Sequence, residues 1–353
     1  MASITSSTRL TMAILGCGNM GIAILRGVMT SQQQIATSGI PAASQTHTQQ
    51  QQHGGSMDAT AGGTSSSPPA PFFTRFIACV NRPESVAALQ SKIPDLNNGG
   101  ATLEQVTVDV WQGRTLEAVQ AADVVLLSCQ PSQAAGILAG PDMARALQGK
   151  VLLSICVGLA LPQLESMIQY PDGGAVSQSQ RCVLVHAMPN TASTVRESST
   201  IIAEYPGQHA TPASTRITEH IFSSIGRVIR VTHDLMPAAS VTAASTPAFF
   251  ALALQGVVDG AVAKGIPREQ ATVMAAQAMK GAACIVLERG EAPEEVMEKV
   301  MTPGGCTERG VRVLQAEKVG QVYADATEAG IERVFEMSRE RAAAAAAATT
   351  KTA

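Results

Sequence analysis

The sequence predicts a doubly wound α/β domain with a mainly parallel sheet, followed by an all-helical domain. Three observations carry this. Short apolar runs of strand length alternate with helical stretches from Met12 to Val231. The alternation then stops, and from about Pro237 to Arg339 only helical periodicity remains. A chain of 353 residues is also too long for one compact core. Such alternation builds a sheet with helices on both faces. The boundaries drawn are residues 1–234 for the α/β domain, 235–341 for the helical domain and 342–353 for an alanine-rich tail expected to fray.

Composition excludes several classes. The formal charge is −3 and no basic tract is interleaved with aromatics, so no nucleic-acid partner is expected. Seven cysteines are scattered without the paired spacing of a zinc site or a secreted disulfide framework, so they read as free thiols and no metal is expected. No apolar run is read as long enough to cross a bilayer, and only a short polar segment, Met1 to Thr11, precedes the first strand. A cytoplasmic protein with no membrane partner is the expectation.

Met12 to Leu15 is the first strand, and it runs directly into Gly16-Cys17-Gly18-Asn19-Met20-Gly21 and a helix. In that context Gly16 makes the tight turn, Gly18 lies under a pyrophosphate and Gly21 sits at the helix-sheet contact, with Asn19 and Met20 opening the helix. A dinucleotide site is expected, the alternative being a Gly-rich strand-helix turn with no ligand. From Gln32 to Pro71 the composition turns to Gln, Ser, Thr, Gly, Ala and Pro, which cannot bury enough apolar surface to offset its ordering entropy, so a disordered insertion is expected. The second strand, Phe72 to Val80, ends at Asn81-Arg82-Pro83. An NAD site carries an acidic side chain here; Arg82 instead suits a 2′-phosphate, which points to NADP with NADPH preferred over NADH, the alternative being an ordinary loop arginine.

Lys92 to Thr102 reads as a loop and Val106 to Val110 as the third strand. Ala122 to Ser128 is a buried strand ending in Cys129-Gln130-Pro131, which should border the cofactor because ligands lie beyond the carboxyl ends of such strands; a helix follows over Ser132 to Leu147. A strand over Val151 to Ile155, a helix over Leu161 to Ile168 and a strand over Arg181 to Val185 come next. That strand leads to His186 and to Asn190 and Thr191, short polar groups suited to fixing a nicotinamide or substrate. His186 reads either as an acid/base group or as a structural histidine. Gly226 to Val231 closes the α/β pattern.

The helices near Ala251 to Val262 and Val273 to Val286 have little polar face, which predicts burial against a second copy of the chain. Among them lies Thr302-Pro303-Gly304-Gly305-Cys306-Thr307, a tight turn opening an amphipathic helix. Helix N-termini present unpaired amides at the positive end of the helix dipole, so a small carboxylate fits at Gly304 and Gly305, and the Thr307 hydroxyl can hold another polar atom of the same ligand. A solvated turn is the alternative.

Taken together these motifs resemble pyrroline-5-carboxylate reductase, which makes proline by reducing a cyclic imine with NAD(P)H. The resemblance runs from about Met12 to Arg339. It is carried by Gly16 to Gly21, by Met188-Pro189-Asn190-Thr191, by Pro247-Ala248-Phe249 with Gly265-Ile266-Pro267, and most specifically by Pro303-Gly304-Gly305-Cys306-Thr307. It implies an N-terminal Rossmann domain and a helical C-terminal domain that interlocks into a homodimer, often within larger rings of dimers. It further implies that Gly304, Gly305, Cys306 and Thr307 hold the cyclic imino acid, with Thr307 at the reacting nitrogen. The chain departs from the family pattern at Gln130, where lysine is usual, at His186, where arginine is usual, and over Ala243 to Phe249. Two rivals remain open on residues alone. One is a β-hydroxyacid-type dehydrogenase using Lys264 or Lys280; the other is a non-catalytic NADP-binding regulator.

Overall fold

The computed structural model describes residues 9–38, 72–92, 106–170, 180–206 and 210–351. Residues 39–71, which hold most of the polar insertion, and the loop expected after Lys92 lie outside the described residues. The chain divides into two compact units, Met1–Met236 and Pro237–Ala353.

In the first unit eight strands form one sheet: β1 (Arg9–Leu15), β2 (Phe72–Val80), β3 (Thr107–Gln112), β4 (Val124–Leu127), β5 (Val151–Ser154), β6 (Val183–Met188), β7 (Ser198–Glu204) and β8 (Gly226–Thr232). Their order is β3-β2-β1-β4-β5-β6-β7-β8, and only the β6-β7 pair is antiparallel. Successive strand residues point to opposite faces, so Met12 and Ile14 join one apolar cluster while Ala13 and Leu15 join another on the far side. All four residues of β4 are buried, as expected of a strand covered on both faces. The strand order reverses between β1 and β4, which opens the crevice where α/β sheets bind ligands.

Helix α1 (Asn19–Ser38) follows β1. It corrects the expectation that the insertion begins at Gln32. Gln32 is only 2% exposed, its amide donates to the Phe73 carbonyl at 3.0 Å, and its side-chain oxygen accepts the Phe73 N–H at 2.8 Å. Composition could not show this, because the partner is the backbone of β2. Gln32→Leu leaves two buried backbone groups unpaired, and each such group costs roughly 1–3 kcal/mol. The variant should therefore lose about 2–6 kcal/mol in urea unfolding, whereas an unchanged midpoint would show that water replaces the side chain.

The remaining helices of this unit are α2 (Pro83–Gln90), α3 (Thr115–Ala121), α4 (Pro131–Leu138), α5 (Met143–Ala146), α6 (Leu161–Met167) and α7 (Pro212–Ser223). The single helix expected over Ser132 to Leu147 is thus two. Pro141 lacks an N–H and disfavours helical geometry at Gly140, so the chain breaks there and resumes at Met143. Four elements of this unit had no sequence expectation, α2, α3, β7 and α7. Ser198 and Thr200 disguise β7, yet both are buried, with their hydroxyls 3.1 Å apart and the Asn190 N–H donating to Ser198 Oγ.

The second unit is helical throughout. A helix from Met236 passes through a wide π-type turn at Val241–Ser245 into α9 (Thr246–Val262); with Met236–Ser240 as α8, the rest are α10 (Arg268–Arg289), α11 (Pro293–Val300), α12 (Cys306–Ala316) and α13 (Val319–Lys351). The alanine tract expected to fray continues α13 to Lys351, as the high helix propensity of alanine allows. A second expectation is corrected here. Two helical stretches are long and apolar enough to cross a bilayer by length and composition, His233–Val262 and Arg268–Arg289, which contain 18-residue segments with mean hydropathies of 1.5 and 1.2. Alanines and glycines between the larger side chains lengthen the apolar stretch beyond its bulky residues.

Candidate functional site

One candidate site, within the α/β unit, lies at the carboxyl edge of β1, β2 and β4. Gly16 takes φ +81°, and its N–H donates to the Cys79 carbonyl at 2.9 Å, which turns the chain sharply out of β1. The Gly18 N–H donates to the Gly16 carbonyl at 2.7 Å, and the Ile22 N–H to the Gly18 carbonyl at 2.9 Å, starting α1. Ser128 Oγ lies 3.2 Å from the Leu15 carbonyl and 3.0 Å from the Gly16 carbonyl, tying β4 to the turn. A Cβ on Gly21 would meet Ser128 Oγ at 3.0 Å and Ile14 Cγ2 at 3.1 Å, so its glycine permits close helix-sheet packing.

A cavity of about 240 Å³ opens over this turn. Gly16, Gly18, Asn81, Arg82, Cys129 and Gln130, all expected from sequence, line it together. Sequence reasoning missed Ser85, Thr115, Ser128 and Gln133, which line it too. Their signal was positional, since Ser85 and Thr115 open the helices that follow β2 and β3. A second cavity of about 620 Å³ shares Asn81, Thr115, Gln133 and Ile137 with the first, so the cleft continues past β2. A Cβ on Gly18 would find only the Gly16 carbonyl, 4.0 Å away, so the cradle is open to a ligand at the start of α1. These are the features a pyrophosphate needs, and the residues fit a dinucleotide.

Other expected residues do not line the cleft. Met20 packs against the core, and Pro131 is the first residue of α4. Asn190 is buried; its Oδ1 accepts the Ala192 N–H at 3.0 Å, and its carbonyl accepts the Ser193 hydroxyl at 2.6 Å. It shapes the turn Thr191–Val195, in which the Thr191 carbonyl accepts the Thr194 hydroxyl at 3.0 Å. Arg82, which does line the cleft, is exposed, with its guanidinium 4.0 Å from Glu84. His186 sits within β6 and is 4% exposed, with Nδ1 3.4 Å from the Tyr205 hydroxyl and no partner for Nε2 among the described residues. Burial pushes its pKa down to about 4, so it is neutral near pH 7 and has no proton to give as an acid.

A separate candidate site, within the helical unit, is the turn before α12. Gly304 takes φ +73°, the Gly305 N–H donates to the Thr302 carbonyl at 2.8 Å, and the helix ladder begins with the Arg309 N–H to the Gly305 carbonyl at 3.2 Å. The N–H groups of Cys306, Thr307 and Glu308 therefore precede the ladder at the positive end of the helix. A carboxylate already uses this turn. Glu308 Oε2 accepts the Gly304 N–H at 2.6 Å, while Oε1 accepts from Arg312 at 2.7 Å. Cys306 is exposed and Thr307 half-buried, and the Thr307 hydroxyl has no partner among the described residues.

Comparison with known proteins finds matches over both units. The family profile described as pyrroline-5-carboxylate reductase dimerisation matches residues 233–337, and one described as NADP oxidoreductase, coenzyme F420-dependent, matches residues 74–158. A pyrroline-5-carboxylate reductase of Lophium arboricola is 38% identical over 308 residues, covering 87% of each chain. One from Neurospora crassa is 38% identical over 326 residues, covering 88% of each. Among solved structures, a pyrroline-5-carboxylate reductase from Coxiella burnetii has a TM-score of 0.68 at 20% identity, covering 94% of this chain and 99% of its own. A Plasmodium falciparum pyrroline carboxylate reductase with NADP bound has a TM-score of 0.64 at 18% identity, covering 95% and 99%. These two establish likeness of fold.

Proposed function

The chain belongs to the pyrroline-5-carboxylate reductase family, and from that membership we propose how its own residues carry out the NAD(P)H-dependent reduction of 1-pyrroline-5-carboxylate to proline. The observation that carries the proposal is the turn before α12, where a carboxylate already accepts the Gly304 amide. The substrate is a small carboxylate, and the amides of Cys306 and Thr307 are suited to hold it. The Thr307 hydroxyl then meets the ring nitrogen. Gly304 and Gly305 keep the approach free of side chains, and Cys306 completes the wall.

The cleft at Gly16, Gly18, Asn81, Arg82, Cys129 and Gln130 holds NADP(H), with Asn19, Met20, Gly21 and Pro131 supporting it and Asn190 and Thr191 shaping the loop beyond β6. When bound, the reduced cofactor supplies the hydride. Reduction of a protonated imine asks little acid/base chemistry of the protein, because the carbon is already electrophilic; position is the main requirement. This accords with a neutral, buried His186. Neither Lys264 nor Lys280 is needed, and the relatives favour imine reduction over an alcohol dehydrogenase or a silent regulator. Loss of NADPH absorbance on adding pyrroline-5-carboxylate tests the activity directly, and absence of turnover with purified protein would reject it.

NADPH is preferred over NADH through Arg82. Because Arg82 is 72% exposed and shared with Glu84, its contact with a 2′-phosphate is screened, and Arg82→Ala should narrow the NADPH/NADH ratio of kcat/KM by roughly three- to tenfold. An unchanged ratio assigns the preference elsewhere. Homodimerisation through the helical unit is supported by its exposed Phe250, Leu252, Val257, Val273, Met274 and Leu287, which water would otherwise face, and by the dimerisation profile over the same helices. Assembly into larger rings of dimers, and a cytoplasmic location, complete the reading.

A further inference from the structure

Two cysteines stand side by side at the floor of the cleft. Leu127 of β4 pairs with Ser154 of β5, and the Ile155 N–H extends the ladder to the Leu127 carbonyl at 3.1 Å. Cys129 and Cys156 each lie two residues further on, so they continue adjacent strands at a spacing of roughly 5 Å, within the range a disulfide spans. Their sulfurs are 4.0 Å apart. Cys129 is half-buried and lines the cavity, whereas Cys156 is buried behind it with its sulfur 3.4 Å from the Cys129 carbonyl. Behind Cys129 there is no slack. A Cβ on Gly16 would come within 2.7 Å of Cys129 Cα, so the phosphate turn rests directly on this residue.

We propose that Cys129 and Cys156 are a reversible dithiol-disulfide site, oxidised by a peroxide, and that closing the disulfide weakens dinucleotide binding in the cleft. The second half rests on the reading that this cleft holds NADP(H). The hydrogen bond between the sulfurs lowers the Cys156 thiol and raises that of Cys129, and Cys156 Sγ donates toward the Leu127 and Cys129 carbonyls, so the resting pair is two thiols of which Cys156 gives up its proton more readily. The Cys129 sulfur attacks a peroxide oxygen and the O–O bond breaks; the Cys129 proton passes to the departing hydroxide, giving a sulfenic acid on Cys129 and water. The Cys156 sulfur then attacks the Cys129 sulfur, forming the S–S bond, and its proton leaves with the expelled hydroxide as a second water. The two sulfurs lose two electrons in all, and the peroxide gains them. Drawing the sulfurs together pulls Cys129 away from its seat against Gly16 and shifts the turn that presents the amides.

The test treats the full-length protein with hydrogen peroxide, blocks remaining thiols, maps cross-linked peptides by mass spectrometry and titrates NADPH by fluorescence. The expected result is a peptide pair joining Cys129 to Cys156, an NADPH affinity lowered about tenfold or more, and recovery on adding dithiothreitol. Saturating NADPH during the treatment should slow the cross-link, because it covers Cys129. Cys156→Ser, which keeps a donor toward the Leu127 carbonyl, and Cys156→Ala should both retain affinity under peroxide. Oxidation of exposed Cys306 without the cross-link overturns the site, and a cross-link with unchanged NADPH affinity overturns its effect on binding. Reduced protein that binds no NADPH overturns the cleft assignment, and with it the affinity half, while the cross-link still reports on the dithiol.

Discussion

Gly16→Ala should abolish useful NADPH binding, lowering affinity a hundredfold or more. Two costs combine at this position. At φ +81° an alanine carries left-handed strain of about 1–2 kcal/mol. Its Cβ would also lie 2.7 Å from Cys129 Cα and 2.9 Å from Cys129 N, and these are backbone and near-backbone atoms at the end of β4 that cannot rotate away. The turn itself must move. An amide that misses a phosphate oxygen forfeits a charge-assisted bond of about 1.5–3 kcal/mol, and losing two gives roughly a hundredfold or more. The measurement is an NADPH titration with thermal melting beside it. Gly18→Ala is the informative companion, because its Cβ meets no protein atom closer than 4.0 Å. It should melt like the wild type and still bind poorly, since the methyl group occupies the ligand's approach. If Gly16→Ala binds within about threefold of the wild type, the turn is not where the pyrophosphate rests.

How much of this could be read from sequence depended on whether the deciding partner was local. The Gly16 to Gly21 turn was legible because strand, glycines and helix are consecutive, and β4 because a run of branched apolar residues admits few other readings. Gln32 was illegible for the opposite reason. Its polar neighbours resemble a linker, and only the carbonyl and N–H of Phe73 across the sheet make it a buried anchor. β7 was hidden in the same way by Ser198 and Thr200, whose hydroxyls are satisfied by each other and by Asn190. Asn190, whose side chain sequence offered to a ligand, has its Oδ1 on the Ala192 N–H of its own loop. The motif was found, but which of its atoms face a ligand is a property of packing. Ser85 and Thr115 show the converse, since nothing in their types marks them, and the crossover connections alone bring them to the cleft.

Thr307→Ala should lower kcat roughly ten- to a hundredfold while leaving NADPH affinity unchanged. The geometry makes this a clean substitution. The turn is held without Thr307, by the Gly305 N–H to the Thr302 carbonyl and by Glu308 on the Gly304 N–H, and the Thr307 hydroxyl has no partner among the described residues that its removal would orphan. A half-buried methyl is lost, and little stability with it. What remains is one hydrogen bond to a charged or strongly polarised nitrogen, which contributes about 1.5–3 kcal/mol. Thr307→Ser restores the hydroxyl and should recover most of the rate. An interaction made mainly in the transition state lowers kcat together with kcat/KM, whereas one made equally to bound substrate raises only KM. Full kcat with a raised KM would make Thr307 a binding residue and move the positioning role to another group. Wild-type values of both constants would make the turn structural and leave the carboxylate on Gly304 as nothing more than a helix cap.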